Sequence, residues 1–271
     1  MKLSPADVFH GTFAAAAALV FLPQPFWAAS PLYTQLLTEP VLLRLGAPTK
    51  LLFLFLGALF AWRSARLFEP GNPVRPTWMF LAVGITGFFL GQATLAFYQL
   101  VLGVAVPFPS LADVFFLLAY PLLILGFVTA ILAYEKVGFP IGTSSERWAL
   151  ALLAGIVFAM AGVYVLRPIL AAPISPLERF LNAAYPALDL VILVPVLILM
   201  RIALRFRGGS VVRVWTAVLL GFCFMCVGDV LFAYFSGMGQ ERLGSLVDLM
   251  FVWAYISVSR GAVEQHRLLT S

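Results

Sequence analysis

Apolar residues run along this chain in long stretches separated by short polar or proline-rich breaks. A helix that crosses a bilayer needs about 20 mostly apolar residues. Eight stretches come close to that length: 8–28, 49–66, 77–102, 110–133, 147–166, 177–204, 213–236 and 244–262. None shows the sustained two-residue alternation of a barrel strand facing lipid. The pattern therefore predicts an all-α, polytopic membrane protein with about eight transmembrane helices, forming a single membrane domain over 1–271. Segment 31–46 is interrupted by Pro31, Glu39, Pro40 and Arg44, and is expected to lie at the interface rather than to span. Val8 to Leu22 followed by Ala28-Ala29-Ser30 has the outline of a signal peptide, yet the internal pairing described below requires a retained first helix.

Composition points the same way. Hydrophobic residues make up 62% of the 271 positions and charged residues 11%, where a soluble domain carries roughly 45–50% and about 25%. Mean hydropathy is +1.01. Seventeen basic and 12 acidic side chains are too few to cover a soluble surface of this size. Two cysteines, Cys223 and Cys226, exclude a disulfide framework, and their Cys-x-x-Cys spacing within an apolar run is read as packing. Two histidines, His10 and His266, leave little room for metal or general-base chemistry. No phosphate-binding glycine loop is present, and no cofactor is expected.

The basic excess is a topology signal rather than a nucleic-acid footprint, because Lys and Arg collect in cytoplasmic loops. With both termini inside, Lys2, Arg63, Arg66, Arg75, Lys136, Arg147, Arg201, Arg205, Arg207, Arg213, Arg260 and Arg267 fall on the inner side. Arg44, Lys50, Arg167, Arg179 and Arg242 fall outside. This bias predicts a multi-pass protein of the cytoplasmic (inner) membrane with N- and C-termini inside.

The chain also echoes itself. Ser110, Leu111, Asp113, Phe116, Ala119 and Tyr120 recur 135 positions later as Ser245, Leu246, Asp248, Phe251, Ala254 and Tyr255. At an offset of 138, Pro48, Leu52, Leu59, Arg63, Ala65 and Phe68 match Pro186, Leu190, Leu197, Arg201, Ala203 and Phe206. Two four-helix halves are expected, repeat one over about 8–133 and repeat two over about 147–262. Four spans is an even number, so the halves keep one orientation about an axis along the membrane normal.

Ionisable residues inside spans are costly and mark functional positions. Asp113, Asp189, Asp229 and Asp248 all fall in the outer half by depth. Ser110-x-x-Asp113 and Ser245-x-x-Asp248 each fit a capping box, which gives Asp113 and Asp248 a structural alternative. Asp189, after Pro186, and Asp229, after Gly228, have no such alternative beyond interhelical hydrogen bonding. Gln92, Gln99, Tyr98, Tyr120, Tyr164, Tyr185, Tyr234 and Tyr255 share the level, though tyrosines near helix ends also serve as interface anchors. Gln92 lies close to the place that the repeat gives Asp229. Arg167 is read as the outer cation close enough to pair with a carboxylate. Spare negative potential there suits a cationic ligand, or protonation as a signal. The ligand-binding set is Asp189, Asp229, Asp113, Asp248, Gln92, Tyr120, Arg167, Tyr234 and Tyr255; no catalytic residue or metal ligand is assigned.

The run from Pro109 to Leu123, with Gly228-Asp229-Val230-Leu231-Phe232-Ala233-Tyr234 and Ala184-Tyr185-Pro186-Ala187-Leu188-Asp189, resembles multi-pass sensory regions of bacteria and archaea. Such regions precede cyclic-dinucleotide (GGDEF and EAL) or histidine-kinase output domains. The resemblance covers about 77–262 and implies a membrane sensor with Asp113, Asp189, Asp229 and Asp248 at its characteristic positions. Gln92 stands where that pattern often has Asp. About nine residues follow the last span, so a stand-alone sensor is expected to signal through a separate cytoplasmic or membrane partner. Gly228-Asp229 also resembles lysoplasmalogenase-like proteins, which have about eight helices and intramembrane aspartates.

The leading expectation is a non-enzymatic sensory or ligand-binding module in the lipid bilayer. A proton- or cation-coupled small-solute transporter is an alternative. Another is an intramembrane lysoplasmalogenase-like lipid hydrolase using Asp189 and Asp229 as an acid–base pair.

Overall fold

The computed structural model describes residues 4–23, 35–139, 142–205, 209–238 and 243–271, and among these it is helical with no strand. The helices are α1 (Pro5–Phe21), α2 (Glu39–Leu67), α3 (Arg75–Ala96), α4 (Leu111–Lys136), α5 (Ser144–Ala161), α6 (Pro176–Leu204), α7 (Ser210–Met238) and α8 (Gly244–Thr270). A π-helical turn, Phe97–Val101, prolongs α3, and another, Gly162–Leu166, carries α5 on to Arg167–Ala171. Seven helices are long and apolar enough to cross a membrane, α2 to α8. The eighth, α1, is apolar but 17 residues long, about 26 Å at 1.5 Å per residue.

Local sequence accounts for most of the helix starts. Ser4 caps α1 and accepts from the Asp7 N–H at 3.2 Å, while Asp7 accepts the Ser4 N–H at 3.0 Å. Thr143 with Glu146 and Ser175 with Glu178 form the same reciprocal box on α5 and α6. Such boxes satisfy backbone donors that a helix end otherwise leaves unpaired.

Three expectations change. The interfacial segment predicted for 31–46 is, from Glu39 onward, the first part of α2. Pro40 lies in the first turn, where a missing N–H costs nothing, and Pro48 is held within the helix. Residues 31–34 lie outside the described residues, as do Lys2, Arg207 and Arg242 of the charge map. Lys50, counted among the outside charges, is a buried residue of α2. The capping box predicted at Ser245 does not form: α8 begins with Leu243 as its cap residue and no side-chain cap bond, and Ser245 Oγ is buried without a partner.

Six helices close a ring in the order α2, α3, α4, α6, α7, α8, with α8 returning to α2. Glycines set the closest approaches. A Cβ at Gly84 of α3 would meet Leu123 at 2.6 Å and the Ala119 carbonyl at 3.3 Å on α4; one at Gly221 of α7 would meet Val258 at 2.6 Å and the Ala254 carbonyl at 3.0 Å on α8. Gly91 faces Phe116 as Gly228 faces Phe251, and Gly126 faces Leu81 as Gly261 faces Val218. Small residues let backbones approach where lipid supplies no hydrophobic drive for helix pairing.

Outside the ring, α1 lies along α8. Trp253 Nε1 donates to the Ala14 carbonyl at 2.9 Å, Arg260 pairs with Asp7 at 2.8 Å, and His10 Nε2 lies 3.2 Å from Ser259 Oγ. By contrast α5 has no buried residue among its 18, an arrangement that lipid tails, as apolar as leucine, accommodate. Cys223 and Cys226 are unpaired thiols on α7.

Candidate functional site

A cavity of about 290 Å³ opens at the end of the ring that carries the α3–α4 connection. Arg63, Arg66, Arg201, Arg213 and Arg260 belong to the opposite ends of their helices. All six ring helices contribute to the wall: Lys50 from α2, Phe88 and Gln92 from α3, Asp113, Phe116 and Tyr120 from α4, Tyr185 from α6, Met225 and Asp229 from α7, and Asp248, Phe251 and Tyr255 from α8. The π turn after α3 adds Gln99. Towards the arginine end the bundle is packed with aromatics. Trp78 and Trp215 meet at 6.4 Å between centroids, Phe127 stands edge-on to Phe222 at 5.3 Å, and each of the four is at most 2% exposed.

Asp113 serves the fold and the cavity together. Its Oδ2 accepts the Ser110 N–H at 2.6 Å, the N-cap bond of α4, while Oδ1 accepts the Tyr185 hydroxyl of α6 at 2.6 Å. Asp248, its counterpart on α8, makes no cap bond and pairs with Lys50 of α2 at 2.7 Å. Each of these carboxyls thus ties α4 or α8 to the neighbour that closes the ring.

Asp189 and Asp229 meet each other and share Tyr120. The phenol donates to Asp189 Oδ1 at 2.7 Å and lies 3.5 Å from Asp229 Oδ2. Asp189 is 0% exposed, sits behind Tyr120 rather than on the cavity wall, and its Oδ2 has no hydrogen-bond partner. Asp229 reaches the wall. Exchanging Tyr120 for Phe keeps the ring and deletes the donor that Asp189 depends on. Leaving a buried acceptor unsatisfied costs about 1–3 kcal/mol, so Tyr120→Phe is expected to lower the melting midpoint of the detergent-purified protein by a few degrees. An unchanged midpoint would show that the hydroxyl contributes nothing net to stability.

Of the residues singled out from sequence, Asp113, Asp229, Asp248, Gln92, Tyr120 and Tyr255 line the cavity, as do Gln99 and Tyr185. Arg167 and Tyr234 do not; both are exposed, Tyr234 at 53%. Tyr164, 73% exposed on the π turn of α5, is also remote from it. The cation at the site is Lys50 instead of Arg167. Lys50 was counted only as an outer-side charge at the start of the second span; Thr38-Glu39-Pro40, a cap residue followed by an acid and a first-turn proline, is the signal that starts the helix earlier. Among the described residues no group of three His, Cys, Asp or Glu is placed to hold a metal ion.

Comparisons with protein-family profiles, with curated proteins and with solved structures return no match.

Proposed function

We propose that this is a sensory or ligand-binding module of the cytoplasmic membrane, with an outward-facing intramembrane cavity, that signals through a separate partner. One observation carries it: a cavity at one end of a six-helix ring, lined by carboxyls, Lys50 and Gln92 among apolar side chains and lying above packed aromatics. A route through the bundle is not needed to bind a ligand and report its presence. The arginines at the opposite helix ends favour a cytoplasmic location for that end, which turns the cavity outward and puts both termini inside. Eight spans follow if α1 crosses with the rest.

A duplicated four-helix unit is part of the same proposal. Its support is the identity of the glycine contacts. Each α7 glycine stands 137 positions after its α3 counterpart (84 to 221, 91 to 228), and each facing α8 residue 135 after its α4 counterpart (119 to 254, 123 to 258, 116 to 251). At the same offset of 137, Gln92 corresponds to Asp229 and Trp78 to Trp215. The cavity would then lie on the pseudo-twofold axis, where parallel repeats place their sites. The resemblance to sensory regions that precede output domains favours sensing as the use of this cavity.

The test is sided access. Gln99→Cys, in a background with Cys223→Ala and Cys226→Ala, is reconstituted and treated with a membrane-impermeant thiol reagent. Rapid labelling in right-side-out vesicles and slow labelling in inverted ones is expected. Equal labelling from both sides would sink the sensor reading and favour alternating access by a transporter.

A further inference from the structure

The three carboxyls on the cavity wall are not equivalent. Asp113 is engaged on both oxygens, by Ser110 and Tyr185. Asp248 is neutralised by Lys50. Asp229 forms no ion pair among the described residues: its neighbours are Tyr120 at 3.5 Å, a donor committed to Asp189 at 2.7 Å, and the Asp189 carboxyl itself, hydrogen-bonded to it and likewise without a cation. The pair's negative charge is what the protein leaves for something else to balance, and Asp229 is its member on the cavity wall. From α3, Gln92 also lines the cavity, 3% exposed, with an amide nitrogen that has no hydrogen-bond partner. A buried polar group without a partner is costly, and a ligand group that accepts from this amide removes the cost.

Much of the rest of the wall is aromatic. Phe88 stands edge-on to Phe116 at 5.8 Å and to Tyr120 at 5.5 Å, and Phe251 stacks with Tyr255 at 6.3 Å. Ring faces attract an organic cation through their quadrupole, most strongly where water is excluded. A cavity of about 290 Å³ is at the lower end of the range for small-molecule sites.

Resting on the ligand-binding reading above, we infer that the ligand is a small organic amine. Its ammonium N–H donates to Asp229, a neighbouring hydroxyl or carbonyl accepts from Gln92, and its apolar body lies against the aromatic wall. Two-point recognition of this kind favours an amino alcohol over a plain amine, and either over a neutral diol.

The experiment is calorimetric titration of the protein in nanodiscs with 2-amino-1-phenylethanol, 2-phenylethylamine and 1-phenyl-1,2-ethanediol. The amino alcohol is expected to bind tightest and the diol at least tenfold more weakly than either amine. Asp229→Asn is expected to weaken both amines at least tenfold, and Gln92→Leu to bring the amino alcohol down to the plain amine. The comparison of three compounds on the unaltered protein stands even if a variant fails to fold. A diol that binds as tightly as the amino alcohol overturns the amine assignment while the ligand-binding reading survives. If none of the three binds, the amine assignment also falls, and the sided labelling of Gln99→Cys decides separately whether the cavity is the outward one proposed.

Discussion

Lys50→Met is expected to be among the most destabilising single substitutions in this protein, and Asp248→Asn is expected to rescue it. Lys50 lies within α2 with its side chain 10% exposed, and its ammonium is 2.7 Å from Asp248 Oδ1. Removing one partner of a buried pair leaves the other as an uncompensated charge, at a cost of 3–5 kcal/mol when burial is complete. Asp248 is 38% exposed towards the cavity, so water screens part of the loss and about 2 kcal/mol is the reasonable expectation. The double variant Lys50→Met with Asp248→Asn has no orphaned charge and should recover most of it. Melting curves of the four proteins in one detergent measure the coupling. Equal midpoints for Lys50→Met and the double variant would mean that the pair is not what joins α2 to α8.

Gly221→Val and Gly84→Val should each cost about 3 kcal/mol, the upper end for overpacking a close contact. At Gly221 the obstacle is partly backbone: a Cβ would lie 3.0 Å from the Ala254 carbonyl and 3.2 Å from the Val258 nitrogen, so α7 and α8 must separate. Gly84 faces Ala119 and Leu123 in the same manner on α3 and α4. Gly155 on α5 has nothing within 4 Å of its Cβ position, and Gly155→Val serves as the control. Folded yield after a heat step, read by size-exclusion chromatography, should fall for the first two variants and hold for the third. A similar loss in all three would point to helix propensity or insertion rather than to helix–helix contact.

Much of the site was legible before the fold was known, because a carboxyl inside an apolar run is expensive and therefore conspicuous. Asp113, Asp229 and Asp248 were found that way and meet at one cavity. What misled was local reasoning applied to groups whose partners are remote. Ser245 and Asp248 match the capping pattern of Ser110 and Asp113 residue for residue, yet only Ser110 and Asp113 cap their helix. A lysine 198 positions away in the chain takes Asp248, and no pattern at Ser245 could reveal it. Arg167 was read as the outer cation close enough to pair with a carboxylate, but it belongs to the exposed continuation of α5.

The sequence by itself determined the class of protein, the spans to within a turn or two at most ends, and the level of the carboxyls, because each follows from how many apolar residues stand in a row. It also held the offsets on which the proposal of two matching halves rests. Tertiary structure alone decided which carboxyl has a counter-charge, which is capped, and which is left facing the cavity without either. Those outcomes depend on the order in which six helices close a ring, and helices that face lipid and helices that face one another are equally apolar to a reader of the chain.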